Sequence, residues 1–395
     1  MKVSLQSEIT LYPLSIQKDK KNYIVEEPVS GDFFELSEIS VDAIKRLEKG
    51  EQLAAIEKAL KDFYPEEEVD IIEFVEQLVE LGLVQDVDGL RVNRDKEKQA
   101  KLDTGGFLWV PHWVGRLFFN GTMNKVYLLL LISNILLLVL NPELFPRYKD
   151  IFLFDSMMLN MMCYLFISLI LIFIHEFGHV LAVRSYDLPA KLSIGNRLIF
   201  IVFETELTQA WKLDPKQRNI LYLAGMSFEQ IILFVSLGIM FLFPDANFVG
   251  IVSIIVLDIF IKFIYQCCFY MKTDVYYVVE NVTGCYNLME NSKIYLSSFL
   301  KKHRKTAKAH KEMYEDEWNL IRIYSVFYLV GVFLTLLMAV LYFLPQLFYT
   351  YTTIYLNIIG AGNRAALWDG IAFFVMTMFM LVLLVYLARK QSREN

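Results

Sequence analysis

Six long apolar runs stand out along the chain, near residues 125–141, 157–183, 219–243, 249–271, 320–344 and 367–388. Crossing about 30 Å of hydrocarbon takes roughly 20 helical residues, so the pattern predicts six transmembrane helices. The first run is the shortest and carries Ser133 and Asn134. Only Pro244–Asn247 divides the third run from the fourth, which predicts a tight antiparallel pair. Ahead of the first run, FLWVPHWVGRLFF (Phe107–Phe119) sets Trp109 and Trp113 four residues apart, with Arg116 beside them. That is the pattern of an interfacial segment with its aromatics at headgroup depth; the alternative is simply the start of the first span. His112 within it reads as an interfacial side chain rather than a ligand.

The first 90 residues follow a different rhythm. Short β-prone stretches at Thr10–Ile16, Asn22–Glu27 and Asp32–Leu36 predict three strands, with Pro28–Gly31 turning between the last two. Helical spacing follows near Val41–Glu48, Glu51–Phe63 and Val69–Leu81. In the last, Ile71, Phe74, Val75, Leu78 and Leu81 share one face, and Gly82 ends the helix. Strands with three helices predict an α+β, winged-helix-like domain over 1–90. The polar stretch 91–106 then reads as a charged linker, 107–119 as the interfacial segment, and 120–395 as the membrane domain. No internal repeat or low-complexity tract interrupts this order.

Charge sharpens the division. The chain of 395 residues has a net charge of −6 and a mean hydropathy of +0.40. Residues 1–90 hold 9 Lys and Arg against 21 Asp and Glu, a net of −12, so the remainder holds 29 against 23, a net of +6. A head this acidic argues against nucleic acid as a partner, because phosphate contacts dominate that affinity. If the head is cytosolic, the internal loops 184–218 and 272–319 and the C-terminal tail carry 17 basic residues. The external loops carry only Arg147, Lys149 and Arg364. That asymmetry predicts a multi-pass protein of the cytoplasmic membrane with both termini in the cytosol. The opening MKVSLQSEIT has no apolar core of a signal peptide. Cys163, Cys267, Cys268 and Cys285 lie in or near apolar runs without a CxxC and read as thiols, not as a disulfide framework.

The candidate chemistry sits at the end of the second run, in LILIFIHEFGHVLAV. His175 and His179, at i and i+4, share a helix face and can bind one metal ion, and Glu176 can reach a water that the metal activates. A short HExxH occurs by chance in soluble helices. At the end of an apolar helix, two His and a Glu are costly unless a partner compensates them. Catalytic zinc uses three protein ligands, so a third must come from elsewhere. His303 and His310 lie far along a basic loop and read as solvated. The acidic candidates are Asp258, inside the fourth run, and Asp274, just past it. At 1.5 Å per residue, His175 lies roughly 27 Å along its helix, Asp258 roughly 12 Å and Asp274 roughly 36 Å along the parallel fourth. The smaller mismatch favours Asp274, and Asp258 is left to pair with Lys262, four residues on.

A membrane-embedded HExxH, a basic loop, two further spans and then an aspartate resemble the site-2 protease-type intramembrane zinc metallopeptidases over residues 157–285. The resemblance implies zinc on His175, His179 and Asp274, with Glu176 as the general base. The sequence departs from that family where Asn-Pro-x-x-x-Leu-Asp-Gly is usual, reading Lys272–Tyr277 (KTDVYY) instead. That variant is similar to the peptide zinc metalloprotease branch of peptide-modification clusters, and it leaves the oxyanion-stabilising residues unassigned. LSIGNRLIFIVFETEL (Leu192–Leu207) predicts a membrane-proximal β-hairpin turning at Gly195–Asn196, able to hold a scissile segment as an added strand or to serve only structure. Glu229 and Gln230, polar at membrane depth, can line the site or pack helices.

The head, through YIVEEPVSGDFFELSEISVDAIKRLEKG and FVEQLVELGLV, resembles the recognition element of ribosomal-peptide modification systems, similar to the small pyrroloquinoline-quinone peptide chaperone. This implies a leader peptide docked beside strand Asp32–Leu36, with a modifying enzyme and an exporter as further partners; a regulatory or dimerising domain is the alternative. The expected protein is a polytopic all-α membrane zinc endopeptidase, with one Zn2+ per chain, that matures a ribosomally made peptide. Its rivals are a regulatory protease releasing a membrane-tethered factor, and a non-catalytic export or immunity protein with a structural metal.

Overall fold

The computed structural model describes residues 3–92, 106–197, 200–298, 317–359 and 364–394. The chain divides into two compact units, 1–105 with 208–215, and 106–207 with 216–395.

The first unit opens with β1 (Ile9–Leu11) and β2 (Ser15–Asp19), where the sequence predicts one strand over Thr10–Ile16. Pro13 lies between them, and the two strands enter different sheets. β1 pairs with β5 (Val84–Val87), and β2 pairs with β3 (Asn22–Glu27). β3 pairs antiparallel with β4 (Asp32–Leu36), so the sheet order is β2-β3-β4 and β4 is an edge. Their turn is held by Glu27, whose carboxylate accepts from the N–H groups of Val29 (3.0 Å) and Ser30 (2.7 Å). Gly31 supplies the positive φ of 70° that closes it.

Three helices follow: α1 (Glu38–Glu48), α2 (Leu53–Phe63) and α3 (Ile71–Glu80). Asp70 caps α3 by accepting from the N–H groups of Ile72 and Glu73, both at 3.0 Å. The helical faces meet as the spacing predicts, burying Ile44, Leu47, Ile56, Leu60, Ile71, Val75 and Leu78 in one core. Absent from the sequence reading is the hairpin of β5 with β6 (Leu90–Arg91), joined by Asp88-Gly89, both at positive φ. Asp-Gly between short apolar stretches is the signal that marks it. Residues 208–215 join this unit, with Lys212 Nζ 2.8 Å from Glu26 Oε1. Most of the expected linker, 93–105, lies outside the described residues.

The second unit is mainly helical. Among the described residues, five of its helices are long and apolar enough to cross a membrane: Gly121–Leu140, Met157–Ser185, Ala224–Leu242, Val249–Gln266 and the apolar length Trp318–Leu356. A short helix α4 (His112–Phe118) precedes α5 (Gly121–Leu140), and Asn120 caps α5. The aromatic segment is therefore separate from the first long helix. Trp109 and Trp113 remain 74% and 62% exposed.

α6 (Met157–Ser185) is the central helix. Its first turn is capped from far along the chain, with Asp369 accepting from the N–H groups of Met157 (2.7 Å) and Met158 (3.2 Å) and from the Ser156 hydroxyl. The hairpin β7 (Lys191–Arg197) and β8 (Phe200–Glu206) follows. It pairs through Arg197 and Phe200, so Gly195 and Asn196 sit within a strand and do not form the expected turn; 198–199 lie outside the described residues.

The third expected span begins as a separate helix α7 (Pro215–Tyr222), and Leu223 (φ −90°, ψ 0°) breaks it from α8 (Ala224–Leu242). α9 (Val249–Gln266) ends five residues before the expected 271. The following internal loop forms α10 (Asp274–Thr283) and α11 (Leu288–Ser297); 299–316, with His303 and His310, lie outside the described residues.

The fifth expected span, 320–344, is only part of a continuous helix. α12 (Trp318–Met338), a π-helical turn (Ala339–Phe343) and α13 (Leu344–Ile359) run together for about 63 Å, twice a hydrocarbon core. The sixth lies within α14 (Arg364–Glu394), whose apolar stretch Leu367–Phe379 falls short of a span among the described residues.

Candidate metal centre

α6, α8, α9 and α10 build one polar centre. The apolar length of α6 ends in a turn carrying His175, Glu176 and His179. Gly178 allows α8 to approach, because a Cβ there would stand 2.8 Å from the carbonyl oxygen of Ala224. Gly225, the next residue of α8, lies against the His175 ring, and a Cβ at this position would fall 2.3 Å from Nε2. Two glycines thus make room for one imidazole.

Asp274 arrives from the other side as the first residue of α10, after Thr273. The Thr273 hydroxyl donates to the carbonyl of Gln266 (3.0 Å) and accepts from the N–H of Tyr276 (3.4 Å). This places Asp274 Oδ2 3.0 Å from His175 Nε2 and 3.6 Å from His179 Nε2, with the two Nε2 atoms 3.2 Å apart. The three residues form a group able to hold a metal ion.

Each of the three is oriented from behind. His175 Nδ1 faces Glu229 Oε1 at 3.1 Å, and His179 Nδ1 lies 2.8 Å from the carbonyl oxygen of Leu221. The Leu221 carbonyl, an acceptor at Nδ1, favours the His179 tautomer that leaves Nε2 as a lone-pair donor, and a carboxylate at Nδ1 of His175 suits the same tautomer there. Gln266 Nε2 donates to Asp274 Oδ2 at 2.8 Å, and the N–H of Asp274 donates to Gln266 Oε1 at 3.0 Å.

The donor set fits a divalent cation. Two imidazole Nε2 atoms and a carboxylate oxygen converge across 3.0–3.6 Å, a donor set that one cation can share. A tetrahedral centre with ligand bonds of about 2.0–2.1 Å has ligand–ligand edges of about 3.3 Å, within that range. Glu229 is 2% exposed, and neither it nor Asp274 has a Lys or Arg ion-pair partner among the described residues.

Glu176 stands apart from this trio. Its Oε2 accepts from the N–H of Thr205 (2.8 Å) and from the Thr205 hydroxyl (2.9 Å) on β8. Phe203, two residues back on the same strand face, packs its ring 5.2 Å from that of Phe173 on α6. The hairpin is thereby fastened to the turn that carries the motif.

The remaining polar residues sort by partner. Gln230 binds Asn134, whose Nδ2 donates to its Oε1 and to its carbonyl, both at 3.0 Å, so it packs α8 against α5 while its neighbour Glu229 serves His175. Asp258 pairs with Lys262 at 2.6 Å and does not join the centre. His112 is exposed at the start of α4. The four cysteines are free thiols. Thr205, Gln266 and the Leu221 carbonyl are missed by the sequence reading; a β-strand Thr and a helix-terminal Gln carry no motif, and a carbonyl carries no residue identity.

These features define a mainly helical chain with five potential membrane-crossing helices and a cluster able to hold a metal. Comparison with family models, curated proteins and solved structures gives no match.

Proposed function

We propose that this chain is a membrane-embedded zinc endopeptidase that cleaves a ribosomally made peptide near the cytosolic membrane face. The observation that carries the proposal is the convergence of His175, His179 and Asp274 at the apolar helix that also carries Glu176, with Glu229 at ion-pair distance behind His175 and hydrogen-bond partners behind His179 and Asp274. Zinc in such a site supplies Lewis acidity toward water and the scissile carbonyl. Glu176 takes the proton of the attacking water and returns it to the leaving amine. Glu229 and the Leu221 carbonyl hold the ring protons on Nδ1, so that both Nε2 atoms stay available as ligands. Substrate enters as an extended strand along the β7–β8 hairpin, which Thr205 ties to Glu176.

The membrane domain crosses six times with both termini cytosolic. Basic-loop asymmetry supports this. The acidic head is a winged-helix-like peptide-recognition domain that docks a leader segment beside the edge strand β4, with no nucleic acid bound. Tethering the leader raises the local concentration of the segment to be cut.

The test is cleavage of candidate precursor peptides by the purified chain, with and without chelator. Glu176→Gln should retain one metal per chain and lose at least about 100-fold in cleavage, the usual scale of general base catalysis. Cleavage at the wild-type rate would remove the role given to Glu176. A non-catalytic metal protein is the second reading, favoured by the two hydrogen bonds that commit Glu176 to Thr205. It requires that biological function survive Glu176→Ala.

A further inference from the structure

The C-terminal residue of α9 holds a position that no motif assigns. Gln266 is 8% exposed and uses both ends of its amide on one residue. Nε2 donates to Asp274 Oδ2, the oxygen that faces both imidazoles, and Oε1 accepts from the N–H of Asp274. Its own carbonyl accepts from the Thr273 hydroxyl, so side chain and backbone of Gln266 together secure the first turn of α10.

We propose that Gln266 is a positioning residue for the metal: a two-point clamp that sets the angle and the free lone pair of the Asp274 carboxylate. Three physical facts carry this. Asp274 opens α10, so its N–H is one of the orphan donors of a helix start, and Gln266 Oε1 satisfies it. A carboxylate on a single Cβ can rotate, and the Nε2–H bond to Oδ2 removes that freedom while leaving a lone pair toward the imidazoles. One planar amide makes both bonds, so the helix start and the ligand oxygen are locked to each other. An Asp ligand at the N-terminus of a short helix is otherwise held only by that helix. Gln266 supplies a fixed point on α9, which is long and packed.

The proposal rests on the metal-site reading above, and the experiment separates the two. Cobalt(II) is titrated into the purified full-length chain in detergent. The d–d spectrum and a competition Kd against a chromophoric chelator are read, and far-UV circular dichroism of the metal-free chain checks folding. Gln266→Met keeps the side-chain length and removes both bonds. It should weaken cobalt(II) binding about 10- to 100-fold and change the d–d spectrum, with the metal-free fold intact. In an Asp274→Ala background the same substitution should cost nothing further in affinity, because Gln266 acts through that carboxylate. Gln266→Glu keeps the acceptor for the Asp274 N–H, protecting the fold, and replaces the donor facing Oδ2 with an oxygen; it should also alter the d–d spectrum. A wild-type Kd and spectrum in either variant overturns the clamp alone, as does an equal loss of affinity in the Asp274→Ala background. A wild-type chain that binds no cobalt(II) overturns the metal reading and the clamp together.

Discussion

Residue identity matters most where two helices leave no spare volume. Gly225 is the clearest case, since a methyl group there would occupy the place of the His175 imidazole. Gly225→Ala should displace that ring and weaken metal binding at least about tenfold, the scale of disturbing a ligand's support. A chelator-competition titration reads the loss. Glu229 shows the same economy of place. A carboxylate buried at this depth is tolerated because His175 Nδ1 lies 3.1 Å away, and its neighbour Gln230 points to a different helix. The sequence marks both as polar at membrane depth and leaves their roles open. One residue along a helix turns a side chain by about 100°, and only the packing of α6 and α5 around α8 shows which of the two meets the His175–His179–Asp274 cluster.

At the scale of elements, helices are secured at their ends more than along their apolar lengths. The first turn of α6 is capped locally by Ser156, whose hydroxyl accepts from the N–H of Leu159 at 3.0 Å, and also by Asp369, 212 residues away. Asp369→Ala removes an anion from a helix N-terminus together with several accepted hydrogen bonds. It should cost about 0.5–2 kcal/mol, measured by denaturant unfolding in micelles. Asp369→Asn should cost less. The loop expected between the fourth and fifth spans illustrates the opposite limit. Its basic residues are plain in sequence, yet α10 and α11 are not, because their apolar positions are few and packing around Tyr276, Leu288 and Tyr324 decides them.

For the whole molecule, the division into two units makes metal removal a selective test of the proposed metal site. His175, His179 and Asp274 all belong to the second unit, whereas the first has its own core around Ile44, Leu60 and Val75. A metal present at 100 times its Kd stabilises the state that binds it by about 2.7 kcal/mol. Chelation should therefore lower the unfolding midpoint of the second unit and leave that of the first unchanged. Limited proteolysis during a thermal ramp, with fragments assigned by mass, distinguishes the two. A common shift of both transitions would contradict the independence of the first core.

Much of this molecule is local, and the local part is legible in the chain. Apolar length marks the long helices, a period of 3.6 places His175 and His179 on one face, and spacing alone marks the buried face of α3. Such features depend on residues a few positions apart, so one sequence suffices to read them. Distances along parallel helices already favour Asp274 over Asp258. The meeting itself, across 99 residues, is a matter of tertiary structure. So are the break at Leu223, the register of β7 with β8, and the partners Thr205, Gln266 and the Leu221 carbonyl. These depend on where a helix stops and which face a neighbour presents, and side chains distant in sequence determine both.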